Sequence, residues 1–417
     1  DKYSSGIIMP TFGDESARGF YLRDGGYYFA ISDYIDLALT GEIYTKGSWG
    51  LSGQSNYIKR YKYSGNFNIG YLVTILGDKG MPDYQKQKNF RLTWNHSQDS
   101  KANPNMSFSA NVNFTTSGYD RNNLNSYYNS ATFTENTKSS TVNMTYSFPN
   151  APLSISTTAS INQRTKDSTL SVSFPDFTLN LSRVYPFKRK NPVGKERWYE
   201  KISLNYTGIF RNSIETKQNL FFKSNLIRDW QNGMQHTIPI SATFNMLKYI
   251  NISPSFSFTD RMYTNKIMRQ WDPKASQEVR DTTYGFYNVF NYSFGVSAQT
   301  KLYGFYKPLP FLGDKIEMIR HVFTPSVSFS GAPDFGSSRY GFWQTYTKID
   351  ANGRRQDVEY SPFSEGMFGT VSRGKQGVVS FNMSNNLEMK VKSDRDTTGV
   401  RKISLIENLS AGISYNM

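Results

Sequence analysis

Three histidines and the absence of cysteine bear directly on metal binding and covalent catalysis. His96, His236 and His321 lie far apart, and none has a second ligand at the short spacing of a zinc site. The 417 residues contain no cysteine, so no disulfide or thiolate metal site forms within them. No nucleophile-elbow sequence of a hydrolase is present. We predict a protein that is not an enzyme and has no metal or cofactor.

Arg320 and His321 are adjacent groups that can bind an anion. An arginine pairs with two phosphate oxygens at once, so this pair would suit a phosphate in a polar cavity. Alternatively, both side chains make structural hydrogen bonds at the start of a strand. Because no anionic partner can be named from the sequence, the structural role is favoured.

The sequence around such residues alternates between apolar and polar positions. Ile202, Leu204 and Tyr206 alternate with Ser203 and Asn205, and the period of two recurs near 142–161, 290–298, 379–391 and 409–415. This period is typical of β-strands that separate two environments. No helical period of comparable length competes with it.

Composition favours strands in a membrane. Tyr (29) and Phe (30) are abundant, whereas only 19% of residues are charged, which suits strands with one apolar and one polar face. No run approaches the roughly 18 apolar residues of a membrane helix, but a barrel strand needs only about 9 to 11. With connections of similar length the chain holds roughly 16 to 20 strands. No composition shift marks a second domain within 1–417.

The net charge of +15 raises the question of an anionic partner. The basic residues are scattered through loops and form no basic helix, so we predict no nucleic-acid binding. An anionic lipid or glycolipid fits the charge equally well. A soluble array of β-sandwiches also alternates and remains an alternative, although aromatic residues at strand ends and Ser, Thr and Asn on the polar face favour a membrane barrel.

Five segments resemble the barrel of the LptD family, which assembles lipopolysaccharide in the bacterial outer membrane. Residues 5–10 (SGIIMP), 26–32 (GYYFAIS) and 36–40 (DLALT) are similar to its SGFLxP, PYYWNIxP and DxTLTP motifs. Residues 91–97 (RLTWNHS) resemble its WNH segment, and 319–325 (IRHVFTP) match IRHxxxP. The motif residues, whose roles are open, are Tyr27, Tyr28, Trp94, Asn95, His96, Arg320, His321 and Pro325.

The departures from the family pattern limit what the resemblance implies. Gly26 stands where the family often has a second proline, and the cysteine pairs of many members are absent. Because the resemblance begins at the first barrel strand, we expect the family's periplasmic β-domain and its last barrel strands to lie outside these 417 residues. The resemblance implies an all-β chain forming the N-terminal part of an antiparallel transmembrane barrel that the family closes with about 26 strands.

The resemblance also implies a function and partners. The chain would move lipopolysaccharide into the outer leaflet of the bacterial outer membrane, with an LptE-type lipoprotein plug, periplasmic Lpt bridge proteins and membrane lipids as partners. Leu204, Tyr206 and Phe294 would then face lipid, and Ser203, Asn205 and Ser293 would face the lumen. A porin or nutrient transporter is the main alternative, and a soluble carbohydrate-binding sandwich array is the second.

Pro10 marks the expected lateral gate. Proline has no N–H for a strand ladder, so it weakens pairing in the first strand, which the family opens sideways to release lipid. The alternative is a proline that merely starts a strand. The predicted gate residues are Gly6, Ile7, Ile8, Met9, Pro10 and Thr11.

Overall fold

The computed structural model describes residues 4–124, 137–191, 193–226, 228–307, 315–349, 353–393 and 399–417. Nearly all of the regular structure in this part is β-strand, and no helix in it is long and apolar enough to cross a membrane. The strands are β1 (Gly6–Ile8), β2 (Thr11–Glu15), β3 (Gly19–Ser32), β4 (Ile35–Tyr44), β5 (Trp49–Lys59), β6 (Tyr63–Leu76), β7 (Gln85–Gln98), β8 (Met106–Thr115), β9 (Thr137–Ser147), β10 (Leu153–Arg164), β11 (Thr169–Val184), β12 (Ser203–Lys217), β13 (Gln231–Ser241), β14 (Phe244–Met246), β15 (Ile250–Asp272), β16 (Gln277–Thr300), β17 (Leu302–Tyr306), β18 (Ile316–Ala332), β19 (Gln344–Ile349), β20 (Arg355–Tyr360), β21 (Gln376–Lys392) and β22 (Val400–Asn416). The helical segments are α1 (Tyr119–Asn122) and the 3-10 turns at Trp198–Lys201 and Phe221–Lys223.

Twenty of these strands belong to one sheet, and β19 pairs separately with β20. Three passes are interrupted, because β1 and β2 both pair with β3, β13 and β14 with β15, and β16 and β17 with β18. Counting each interrupted pass once, the 20 strands make 17 passes. This number lies within the roughly 16 to 20 strands expected from the length of the chain.

Two compact units make up the chain, 1–179 with 209–233 and 180–208 with 234–417. In the first unit, each strand from β3 to β10 pairs antiparallel with the next in chain order. In the second unit, β15 pairs with β16, β16 with β18, β18 with β21, and β21 with β22, again antiparallel. This meander is the arrangement that the alternating sequence predicts.

The alternation separates an apolar face from a polar face in each unit. In the first unit, Leu39, Ile43 and Leu51 are exposed on one face, while Thr40 and Ser52 share a hydrogen bond of 2.6 Å on the other. A soluble sandwich would bury its apolar face against a second sheet. Apolar side chains exposed in this regular pattern instead suit contact with lipid.

The second unit repeats the pattern. Phe294 and Val296 are exposed on one face of β16, and Ser380 and Ser414 share a hydrogen bond of 2.8 Å on the polar face of β21 and β22. Ser203, predicted to face the lumen, is only 6% exposed. Its hydroxyl lies within hydrogen-bonding distance of the Ser241 carbonyl and hydroxyl on β13.

A long connection between β18 and β21 folds onto β15 and β16. Tyr263 is buried against Phe363, and its hydroxyl donates to the Gly369 carbonyl at 2.5 Å. The Ile267 backbone N–H donates to the Pro362 carbonyl at 2.9 Å. This connection and the two strands beneath it form a hydrophobic core, whose buried members are Tyr263, Val289, Phe335, Phe342, Phe363 and Val371.

Candidate functional site

The first strand is interrupted at the residue that the sequence singles out. Strand β1 ends at Ile8 and β2 begins at Thr11, and both pair with β3. Ile8 lies opposite Gly26 and Thr11 opposite Arg23, so the same register continues across the gap. The ladder is therefore broken at Met9 and Pro10 without a slip. This is the effect expected of a proline that cannot donate a hydrogen bond.

The partner strand is irregular at the same level. Asp24 has a φ of 60°, and the pairing of β3 with β4 changes register between Leu22 and Gly25. A bulge of this kind bends a strand and leaves a residue outside the ladder. Thr11 compensates in part, because its hydroxyl donates to the Arg23 carbonyl at 3.2 Å. Irregular pairing on both sides makes this level a weak point of the first hairpin.

Gly25 allows β3 to approach Pro10 closely, and Gly26 allows β3 to approach β4 closely. A Cβ atom on Gly25 would lie 2.7 Å from the Pro10 Cβ, and one on Gly26 would overlap the Leu39 carbonyl oxygen. Gly26, which stands where the family often has a second proline, thus occupies a position where only glycine fits.

We expect Gly26→Ala to destabilise the folded protein by about 1 to 3 kcal/mol, the usual cost of overpacking. The matched control is Gly6→Ala on β1, where a Cβ would meet nothing within 4 Å. The urea midpoint of the protein in bilayers should fall for Gly26→Ala and stay unchanged for Gly6→Ala. Equal midpoints for the two variants would show that β4 shifts freely to accommodate the methyl group.

The outer edge of this hairpin is open. Within the described ranges, β1 and β2 pair only with β3, and their other edge has no partner. Ile7, Met9 and Phe12 on these strands are 76%, 78% and 85% exposed. An unpaired edge with apolar side chains requires another strand beside it in a membrane, because unsatisfied backbone groups are costly there.

The polar face behind this edge carries charged groups that the sequence did not single out. Arg18 is 3% exposed, pairs with Glu15 at 2.6 Å, lies 4.4 Å above the Tyr44 ring and donates to the Asn122 carbonyl at 2.8 Å. Nothing in the sequence links Arg18 to Asn122, which lies 104 residues away.

Arg23 lies within this irregular stretch of β3, opposite Thr11. Its Nε forms an ion pair with the Asp24 carboxylate at 3.1 Å, whereas its buried Nη1 has no hydrogen-bond partner in the part of the chain that the structure describes. Buried guanidinium donors without an acceptor are suited to an anionic group. The described residues contain no cluster of histidine, cysteine and acidic side chains able to hold a metal.

The motif residues of the first unit make local contacts. The Tyr28 hydroxyl donates to Asp36 at 3.2 Å, whereas Tyr27 points to the other face and its ring packs 4.7 Å from Phe29. Trp94, Asn95 and His96 lie on β7. The Tyr57 hydroxyl, on β5, accepts from the Trp94 indole and hydrogen-bonds His96 Nδ1, both at 2.8 Å, so these contacts span the intervening strand β6. Asn95 donates to Asn66 on β6 at 3.0 Å.

The third motif lies on β18 in the second unit. Arg320 pairs with Glu388 on β21 at 2.6 Å, and His321 hydrogen-bonds Asn385 at 3.0 Å. The two residues are neighbours in a strand, so they occupy opposite faces. Both contacts support the structural role that the sequence favoured. Pro325 lies opposite Met383 within the same pairing.

Comparison with known proteins adds the family. The family model described as "LptD protein" matches residues 1–417, whereas no curated protein matches. Among solved structures, a variant of OccD1 (OprD) is 8% identical, with 95% of this chain and 94% of that chain covered and a TM-score of 0.26. Pseudomonas aeruginosa OccK10 (OpdN) is also 8% identical, with 99% of both chains covered and a TM-score of 0.21. The family match over the whole chain, with its antiparallel sheet, shows that this chain belongs to the LptD family of outer-membrane β-barrel proteins.

Proposed function

We propose that this chain delivers lipopolysaccharide to the outer leaflet through a polar lumen and a lateral gate at its first strand. The sugar and phosphate part would pass along the polar face, and the acyl chains would leave sideways into the bilayer. The broken ladder at Pro10, on a strand whose outer edge is open, carries this proposal. No bond is made or broken in this process.

The chemistry of the polar face agrees with such a cargo. Arg23, which is ion-paired with Asp24 through its Nε, offers a further buried donor at Nη1 beside the gate segment, which we define as Gly6 to Thr11. Phosphate groups of lipopolysaccharide are acceptors that arginine binds well. Serine and threonine hydroxyls along the strands, such as Thr40 and Ser52, suit sugar hydroxyls.

The proposed partners follow from membership of the family. A periplasmic Lpt bridge would supply the lipid, and an LptE-type lipoprotein would fill the lumen. The alternative of a porin or nutrient transporter gains no support from OccD1 and OccK10, because TM-scores of 0.26 and 0.21 are too low to carry an argument.

Depletion of the full-length protein tests this function. In cells with one inducible copy, newly made lipopolysaccharide should disappear from the surface and accumulate inside the envelope, and re-expression should restore it. The readout is lipopolysaccharide labelled at the surface of intact cells. A normal surface level with impaired uptake of a nutrient would instead identify a transporter.

A further inference from the structure

The connection between β11 and β12, residues 185–202, is strongly basic and rich in exposed apolar side chains. It contains six lysine or arginine residues and two glutamates, a net charge of +4. Phe187, Val193 and Trp198 are 56%, 85% and 67% exposed. Among the described residues, Lys190 and Lys195 have no ion-pair partner. We call this segment the basic loop.

An ion pair joins Arg189, near the start of the basic loop, to Glu200, near its end. Glu200 is 1% exposed and accepts from the Arg189 side chain at 2.5 Å and from the Arg197 backbone N–H at 2.6 Å. The Arg189 guanidinium also donates to the carbonyls of Val193 and Lys195, each at 3.4 Å.

The same contacts keep Glu200 ionised. Hydrogen bonds from Arg189 and then from the Arg197 backbone lower the pKa of Glu200 from 4.5 to about 2. Because this pKa is lower in the folded chain, the pair stabilises the loop at neutral pH, and the stabilisation is lost progressively as the pH falls from about 4.5 to about 2. Lys190 and Lys195 therefore lie in a segment that the ion pair between Arg189 and Glu200 stabilises.

We infer that the basic loop binds the surface of a bilayer that contains anionic lipid headgroups. The loop joins the ends of two sheet strands, which is where the headgroup layer lies around a membrane barrel. Lysine side chains at this level are attracted to anionic lipids, and tryptophan favours the same boundary. An acidic protein would satisfy the lysines but would leave unexplained why three large apolar side chains stand exposed between them.

A single fluorescent label tests the inference, because residues 1–417 contain no cysteine and any cysteine elsewhere in the full-length protein is replaced by serine. Val193→Cys in the basic loop carries an environment-sensitive dye, and the full-length protein is reconstituted in phosphatidylcholine with or without phosphatidylglycerol. The emission should shift to shorter wavelength only with phosphatidylglycerol, and salt should reverse the shift. The matched control is Met81→Cys, which is 61% exposed in a connection with Asp78, Lys79 and Asp83 and should show no shift.

A variant with reversed charges distinguishes attraction to anionic lipid from apolar contact with the bilayer. Lys190→Glu with Lys195→Glu lowers the net charge of the basic loop from +4 to zero but leaves Glu200 and Arg189 in place. The shift should then be lost. An absent shift at Val193→Cys in both bilayers would overturn the inference. The inference would also be overturned by a shift of equal size with and without phosphatidylglycerol, or by a shift that occurs only when another membrane protein is present.

Discussion

A disulfide that ties Ile8 to the strand beside it across the open edge should abolish the delivery of lipopolysaccharide to the cell surface. The gate segment pairs with β3 on one side, so the proposed lateral opening would occur on the other side, where the described chain provides no partner. A covalent bond there prevents separation whatever the strength of the hydrogen bonds. A cysteine at Ile8 is combined with cysteines along the strand that closes the full-length barrel, and delivery is measured before and after reduction.

The control places the same bond within the hairpin. Ile7 lies directly opposite Tyr27 on β3, so cysteines at these two positions join strands that stay paired in the proposed mechanism. This cross-link should leave delivery intact. If the seam cross-link is also harmless, lipopolysaccharide does not leave at this edge, and Pro10 merely separates β1 from β2.

Replacing Pro10 with alanine should slow delivery without impairing folding. The substitution restores one backbone N–H and lets β1 and β2 join in one continuous strand, which can pair more regularly with a strand along the open edge. One added hydrogen bond there contributes roughly 0.5 to 1.5 kcal/mol, which corresponds to an opening equilibrium about two- to tenfold less favourable. Pro254→Ala is the matched control, because Pro254 lies inside β15, a strand paired through this residue with Val296. Delivery rates that fall equally in both variants would show a general effect of strand rigidity.

The strands could be predicted because apolar and polar residues alternate along short stretches of the sequence. Leu204 and Tyr206 alternate with Ser203 and Asn205, and this local pattern fixes which side chains share a face. The interruption at Pro10 was equally accessible, since it depends on the chemistry of a single residue type. Arg320 and His321 were identified as motif residues, but their partners Glu388 and Asn385 on β21 were not, and the structural role of the two residues stays a prediction.

Contacts between distant residues could not be predicted in this way. Arg18 contacts Asn122, which is 104 residues away in the sequence, and Tyr263 contacts Phe363 because a long connection folds back onto its strand. The positive φ of Asp24 depends on the bulge opposite Pro10, not on aspartate itself. A close pair of charged residues such as Arg189 and Glu200 offers a local indication, but the burial that makes it rigid becomes visible only in the fold.

The most direct test of the central claim is capture of the lipid at the proposed exit. A photoreactive amino acid at Ile7, which is 76% exposed on the open edge, should form an adduct with lipopolysaccharide in cells that are exporting it. The same group at Val296, which is 45% exposed on the apolar face of β16, should form none or far less. Adducts of equal yield at both positions, or none at Ile7, would contradict lateral release beside the first strand.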